Sequence, residues 1–346
     1  MMVCIFGLSF IGAGLSFVFI ATDPALNAVR AATMDEIVAA TDRLLAETAT
    51  PELLANKIEG RLTERPRNWI ALDALTELAI DRALDLPPDL ALRVSAAREE
   101  DFSLLSQAAS CAICTYDAGQ CSLSQVFICQ APVALTPVGD VLGVSRAGAA
   151  YARGEAIDQV DLALSVVGLG ATAAVLVSGG SSGAIKAGAS TLKVARQMGR
   201  LSPDLVDMAY TAAKTGVSWD RLGDVRSLAD LSATLRPQAL GPLTQTIIDL
   251  DRVRTATDTT TALHLLPLVG SASDARKLAT LAEALGPKVV ARAEILGKVR
   301  ILRTTVRLTA LGWSVMLSLA GLALSLVGLA SAMGKSLALR HLSRAA

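Results

Sequence analysis

The segment from Leu308 to Met333 carries no charged side chain. A helix needs about 20 apolar residues to cross the hydrocarbon core of a bilayer, and its backbone polar groups must be satisfied within the segment. This stretch therefore predicts a transmembrane helix. Trp313 sits near its start, where an interfacial aromatic is favoured. Ser314, Ser318, Gly321, Ser325, Gly328 and Ala332 recur at spacings of three and four residues, which lines them along one helical seam. Small residues on a seam let a second membrane helix approach closely. The expected partners are thus the lipid bilayer and another membrane helix, or a second copy in a homo-oligomer.

The other end of the chain repeats the signal. Residues 1–21 are apolar and uncharged, and no Lys or Arg precedes the apolar run. That pattern reads as a membrane anchor or signal anchor before it reads as a cleaved signal peptide. Between the two ends, 52% of residues are apolar and 18% are charged, with Lys+Arg and Asp+Glu balanced at 32 each. Balanced charge supplies no basic field to gather phosphates, so nucleic acid is not an expected partner. Aromatics are 3% of the chain, and Phe6, Phe10, Phe17 and Phe19 lie in the first segment. Such scarcity argues against an aromatic-lined ligand pocket, and no small-molecule substrate is evident. The apolar residues are mostly Ala, Leu and Val, without period-two β-branched runs. The expected fold is all-α: terminal hydrophobic helices around a helical body with a Gly-rich central hairpin.

Punctuation divides that body. Residues 22–110 read as amphipathic helices. Met34 to Thr48 carries Ile37, Thr41, Leu44 and Leu45 on one face, Thr50-Pro51-Glu52 is a cap and first turn, and Pro66 opens a helix with Trp69, Ile70, Leu72, Leu75, Leu78 and Ile80. After Pro87-Pro88, Asp89 starts a helix towards Gln107, and Arg98-Glu99-Glu100-Asp101 reads as a solvated face. Residues 131–200 are Gly- and Ala-rich: uncharged Leu162 to Val177 leads through Ser178-Gly179-Gly180-Ser181-Ser182-Gly183 into a helix with Lys186, Lys193 and Arg196. Its first arm is short for a bilayer span, so a buried or interfacial hairpin is favoured over a crossing. Residues 201–307 are again helical, with Ser202-Pro203-Asp204 as a start signal and Lys288, Arg292, Lys298, Arg300, Arg303 and Arg307 near the end. Leu265 to Ser271 echoes Leu135 to Asp140: each is a Pro-to-Gly turn that launches a helix. Residues 334–346 form a basic tail with Lys335, Arg340 and Arg344.

Residues 111–130 stand apart. Cys111, Cys114, Cys121 and Cys129 follow the pattern Cys-x2-Cys-x6-Cys-x7-Cys, with only Cys4 elsewhere. Two disulfides stapling a loop in an oxidising compartment are the leading reading. Four thiolates on zinc and free or redox-active thiols are the alternatives, although zinc knuckles favour two tight Cys-x2-Cys pairs. The staple prefers the Cys111 side outside, and the positive-inside rule prefers the Lys186 side inside. Together they place the Cys-rich region in the periplasm of a bacterial inner membrane.

Catalytic signals are missing. His264 and His341 are the only histidines, and no His-Glu-x-x-His, nucleophile elbow, phosphate loop or cofactor fingerprint is present. His264 lies between Leu263 and Leu265 with no partner in sight, Glu99, Glu100 and Asp101 face no identifiable counterpart, and Asp249 and Asp251 lack the spacing of a calcium loop.

Pro137, Gly139 and Asp140, then Gly154-Glu155, then Asp161, Ala163, Leu164, Ser165, Gly168 and Leu169 form a spaced set. Through these residues the stretch from Leu135 to about Ala187 resembles the pre-toxin TG segment found upstream of toxin modules in bacterial polymorphic toxins. That family has Thr-Gly before the Glu, and this chain has Arg153-Gly154. The resemblance implies a secreted or membrane-associated context and carries no catalytic residue. The expected function is a non-enzymatic structural or interaction protein of the inner membrane. The alternative is a membrane-active, toxin-related or pore-forming protein that inserts the Leu162–Ala195 hairpin. A thiol-dependent redox protein using Cys111 and Cys114 comes third.

Overall fold

The helices begin where first-turn prolines and capping oxygens place them. The computed structural model describes residues 24–116, 118–126, 129, 183–216 and 236–304, with the single positions Arg153, Val160, Leu164, Ser165, Ser218, Arg221, Asp230 and Thr234. Helix α1 covers Pro24–Thr48 and α2 Pro51–Thr63, whose cap Thr50 accepts the Leu53 N–H at 3.2 Å. Helix α3 (Trp69–Asp81) begins three residues after Pro66, because the Asn68 side-chain oxygen Oδ1 accepts the Ala71 N–H at 3.2 Å. Helix α4 spans Pro88–Asp101 and α5 Leu104–Tyr116. Then come α6 (Gly183–Gln197), α7 (Pro203–Gly216, capped by Ser202), α8 (Pro237–Ala256), α9 (Thr259–Leu265, capped by Asp258) and α10 (Ala272–Leu285, capped by Ser271). A last helix, α11, runs over residues 289–304, and three short 3-10 turns lie at Ala118–Gln120, Leu266–Leu268 and Gly286–Lys288. The described residues include no strand, so the protein is all-α.

One expected helix is two. The stretch from Asp89 to Gln107 breaks at Phe102-Ser103, where the Ser103 hydroxyl donates to the Glu100 carbonyl at 3.1 Å and accepts the Ser106 N–H at 3.3 Å. A serine that bonds the backbone on both sides ends one helix and caps the next. Ile80, expected on the apolar face of α3, is 76% exposed, and the buried face is Trp69, Ala71, Leu72, Leu75, Leu78 and Ala79.

The chain divides into two compact units, Met1–Ala40 with Arg303–Ala346, and Thr41–Leu302. In the first, the described residues are helical, and Ile37 is fully buried. In the second, α8 is the hub: α6, α7, α9 and α10 all pack on it. Leu243, Ile247, Leu250 and Val253 recur along α8 at spacings of three and four, and all are buried. Gly188 lets α6 lie directly on α8, since a Cβ there would collide with the Ile247 carbonyl oxygen. Helices α2, α3 and α4 form a second layer, with α3 against α9 and α5 following α4.

Among the described residues no helix is long and apolar enough to cross a membrane. Met1–Ala21, the seam of Leu308–Met333 and the basic tail lie outside the described residues, as does most of the Leu135–Val177 stretch. The second arm of the Gly-rich hairpin is described. As α6, it buries Ala189, Leu192, Val194 and Ala195, and the buried Lys193 donates to Ser165 at 2.8 Å. This arm also packs against the 3-10 turn Ala118–Gln120 inside the cysteine region. Two elements in contact cannot lie on opposite sides of a bilayer.

Candidate interaction site

The chain's chemistry gathers where α3, α4 and α5 meet. The structure pairs Cys111 with Cys129 and Cys114 with Cys121. Both Cys111 and Cys114 lie on α5 rather than in a loop, so the bridges fasten a helix to the segment that follows it. Cys114 on α5 and Cys121, Leu123 and Val126 of that segment are buried.

With one side of α5 fastened, its other side faces outward. Leu104 is 87% exposed, Leu105 86% and Ile113 55%, and Ala108, Ala109 and Ala112 are exposed between them. The positions 104, 108, 112 and 105, 109, 113 form two adjacent i, i+4 rows. No residue from Phe102 to Tyr116 is charged. Scattered exposed leucines are ordinary, but contiguous apolar rows on one helix mark contact surfaces.

The charge run at the end of α4 fixes the base of α5. Arg67, largely buried, donates to Asp101 Oδ1 at 2.6 Å and Glu100 at 2.9 Å, and the Trp69 indole N–H donates to Asp101 Oδ2 at 2.8 Å. Arg98 pairs with Asp73 and stacks over Trp69, its guanidinium carbon 4.7 Å from the ring centre. Phe102 meets Trp69 edge-on at 5.6 Å. As expected, Arg98, Glu99 and Glu100 are exposed to solvent, and the run also makes specific ties to Arg67 in the turn before α3 and to Asp73 on α3.

Beside these ties lies a cleft of about 150 Å³ between the stapled segment and the turn that leads into α3. Trp69 and Phe102 border it, so two of the chain's few aromatics do meet at one cavity.

A second cluster joins the two layers of the body. Glu294 accepts both a 2.6 Å and a 2.8 Å bond from Arg61 Nη2 and lies 3.1 Å from His264 Nε2. Asn68 Nδ2 lies 2.9 Å from His264 Nδ1. The Asn68 oxygen is committed to its helix cap, so its nitrogen is the donor, and the ring proton of His264 sits on Nε2, aimed at Glu294. Burial pushes the Glu294 carboxyl up, but hydrogen bonds from His264 and Arg61 and the positive charge of Arg61 outweigh it, and the net result is a fall from 4.5 to about 2. The His264 and Glu294 side chains are each only 7% exposed. The cluster is closed to solvent and its acids and bases answer one another, an arrangement that locks helices together rather than meeting a substrate. Asp249 and Asp251 are likewise tied, to Arg252 at 2.7 Å and Arg254 at 2.8 Å.

Sequence reading found the four cysteines but missed the partners of His264, which come from 196 residues upstream and from α11. It also missed the outward face of α5, where the absence of charge over Phe102–Tyr116 was the visible signal. The helix-packing seam Ser314–Ala332 lies outside the described residues. Compared with known protein families, curated proteins and solved structures, the chain matches none.

Proposed function

We propose that this chain is a non-enzymatic structural or interaction protein of a bacterial inner membrane. The terminal segments 1–21 and 308–333 anchor it, and its disulfide-stapled helical body faces the periplasm. The observation that carries this reading is the outward face of α5: uncharged, apolar, and on a helix held by Cys111–Cys129 and Cys114–Cys121. A helix that displays leucines while rigidly braced loses little entropy when a partner covers it. The closed His264–Glu294 cluster supports a structural role over a catalytic one. The seating of α6 on α8 favours this reading over insertion of the Leu162–Ala195 hairpin, since insertion would strip Gly188 from Ile247 and expose Lys193 to lipid.

The partner of this face is a second copy of the chain. Replacing Leu104 and Leu105 together by Glu places two charges on it without touching the core. The full chain in detergent is expected to run as an oligomer, and the double variant as a single copy with unchanged helix content. A wild-type chain that runs as one copy, or a variant that keeps the wild-type mass in light scattering, refutes the reading.

A further inference from the structure

We propose that the cleft beside the staple binds a small hydroxylated carboxylate, the chemical class of sugar acids and hydroxy acids. The groups that the fold leaves uncommitted point to it, independently of the outward face of α5 and of membrane anchoring.

Charge comes first. Of the ionisable groups lining the cleft, Asp101 has both oxygens occupied, by Arg67 and by the Trp69 indole. Arg65 is different. Its Nη1 donates to the carbonyls of Leu62 at 3.0 Å and Glu64 at 2.9 Å, which holds the guanidinium in place. Its Nε and Nη2 make no hydrogen bond to the described residues, and no carboxylate among them pairs with it. A positioned guanidinium with free N–H groups is a carboxylate receptor, and its planar fork suits bidentate binding.

Hydroxyl chemistry comes second. Ser106 and Ser110 stand one turn apart on the side of α5 that lines the cleft, and neither hydroxyl bonds another described residue. Across from them, Ser122 donates to the Gln125 amide oxygen at 3.2 Å, which leaves the Gln125 nitrogen free to donate into the cleft. Serine hydroxyls give and accept, and an amide nitrogen gives. Such a set matches a ligand whose own hydroxyls do both. A bare oxyanion would leave it unused, and a neutral polyol would leave Arg65 unanswered.

Size and apolar surface come third. At about 150 Å³ the cleft is smaller than the roughly 300 Å³ at which drug-sized sites begin, so it suits one ring or a short chain. Trp69 is only 3% exposed, whereas Phe102, with Arg98 5.7 Å from one ring face, is 39% exposed and is the aromatic that can meet ligand C–H groups. The staple supplies one wall, since Ser122 and Gln125 belong to the segment tied down by Cys121 and Cys129.

Calorimetry on the full chain with intact disulfides tests this, with glucuronate, glucose, acetate and inorganic phosphate as probes at neutral pH. Glucuronate is expected to saturate one site, with glucose, acetate and phosphate at least about tenfold weaker. Arg65→Gln is expected to weaken glucuronate by about tenfold and to leave glucose unchanged. Ser106→Ala with Ser110→Ala is expected to weaken glucuronate and glucose alike. Arg65 is exposed and the two serines are half-buried on a surface helix, so melting temperatures should match wild type. Absence of saturable glucuronate binding by a chain with mapped disulfides overturns the proposal. So does an Arg65→Gln variant with wild-type affinity, and so does acetate or phosphate binding as tightly as glucuronate.

Discussion

Glu294 is a residue whose charge the fold depends on. Its carboxyl is drawn from 4.5 to about 2 in the folded chain, so the folded state holds it ionised where the unfolded chain would take a proton. The stabilisation is therefore complete above pH 4.5 and is lost as pH falls through about 2. From the size of that shift it is on the order of 3 kcal/mol. Unfolding free energy measured against pH is expected to slope downward across this window. Glu294→Ala should remove that part of the slope and cost about 3 kcal/mol at neutral pH, because the buried His264 loses its partner while the part-exposed Arg61 keeps only Glu64. A variant with wild-type stability and an unchanged acid slope would show that the cluster carries no weight. The residues of this cluster were individually visible in the sequence, and their meeting was not. Local patterns report neighbours three or four positions away, whereas Arg61, Asn68, His264 and Glu294 converge only after α3 docks on α9.

Elements were more legible than contacts. Thr50-Pro51, Ser202-Pro203 and Ser271 announced helix starts that the structure realises, since a capping oxygen and a fixed proline φ act within one turn. The break at Ser103 was hidden because Phe102-Ser103 carries no Pro or Gly, and the decision lies in which backbone groups the hydroxyl bonds. The cysteine spacing singled out the staple, but not that Cys111 and Cys114 ride on a helix. Least visible was Gly188, one glycine in a Gly-rich stretch, which sets the approach of α6 to α8. Gly188→Ala must push α6 away from the Ile247 carbonyl, and overpacking of this kind costs about 1–3 kcal/mol despite the better helix propensity of Ala. Gly60, with open space around it, is the control: Gly60→Ala is expected to be neutral or stabilising in chemical denaturation. If Gly188→Ala is as stable as Gly60→Ala, the close packing of α6 on α8 is wrong.

At the scale of the whole molecule, one contact bears on the topology that charge counting leaves open. Basic residues flank Leu308–Met333 on both sides, so the positive-inside rule by itself does not orient that span. But α6 touches the Ala118–Gln120 turn within the one compact unit Thr41–Leu302, so on the proposed reading these two described elements share one side. If the proposed anchors 1–21 and 308–333 are the spans, the tail after Met333 is expected on the other side of the membrane from the body. The proposed periplasmic setting of the cysteine staple then predicts that the tail with Lys335, Arg340 and Arg344 is inside. Basic residues left outside are not stranded there: Lys288 meets Asp81 at 2.5 Å, Arg292 meets Asp42 at 2.6 Å and Lys298 meets Asp274 at 3.4 Å. Periplasm-active and cytoplasm-active reporters fused after Arg153, Arg200 and Ala346 read this directly. Fusions after Arg153 and Arg200 are expected to agree with each other as periplasmic, and the fusion after Ala346 to report the cytoplasm. Opposite signals after Arg153 and Arg200 would mean that Leu162–Val177 crosses the bilayer and that the packing of α6 against the staple does not exist in the cell.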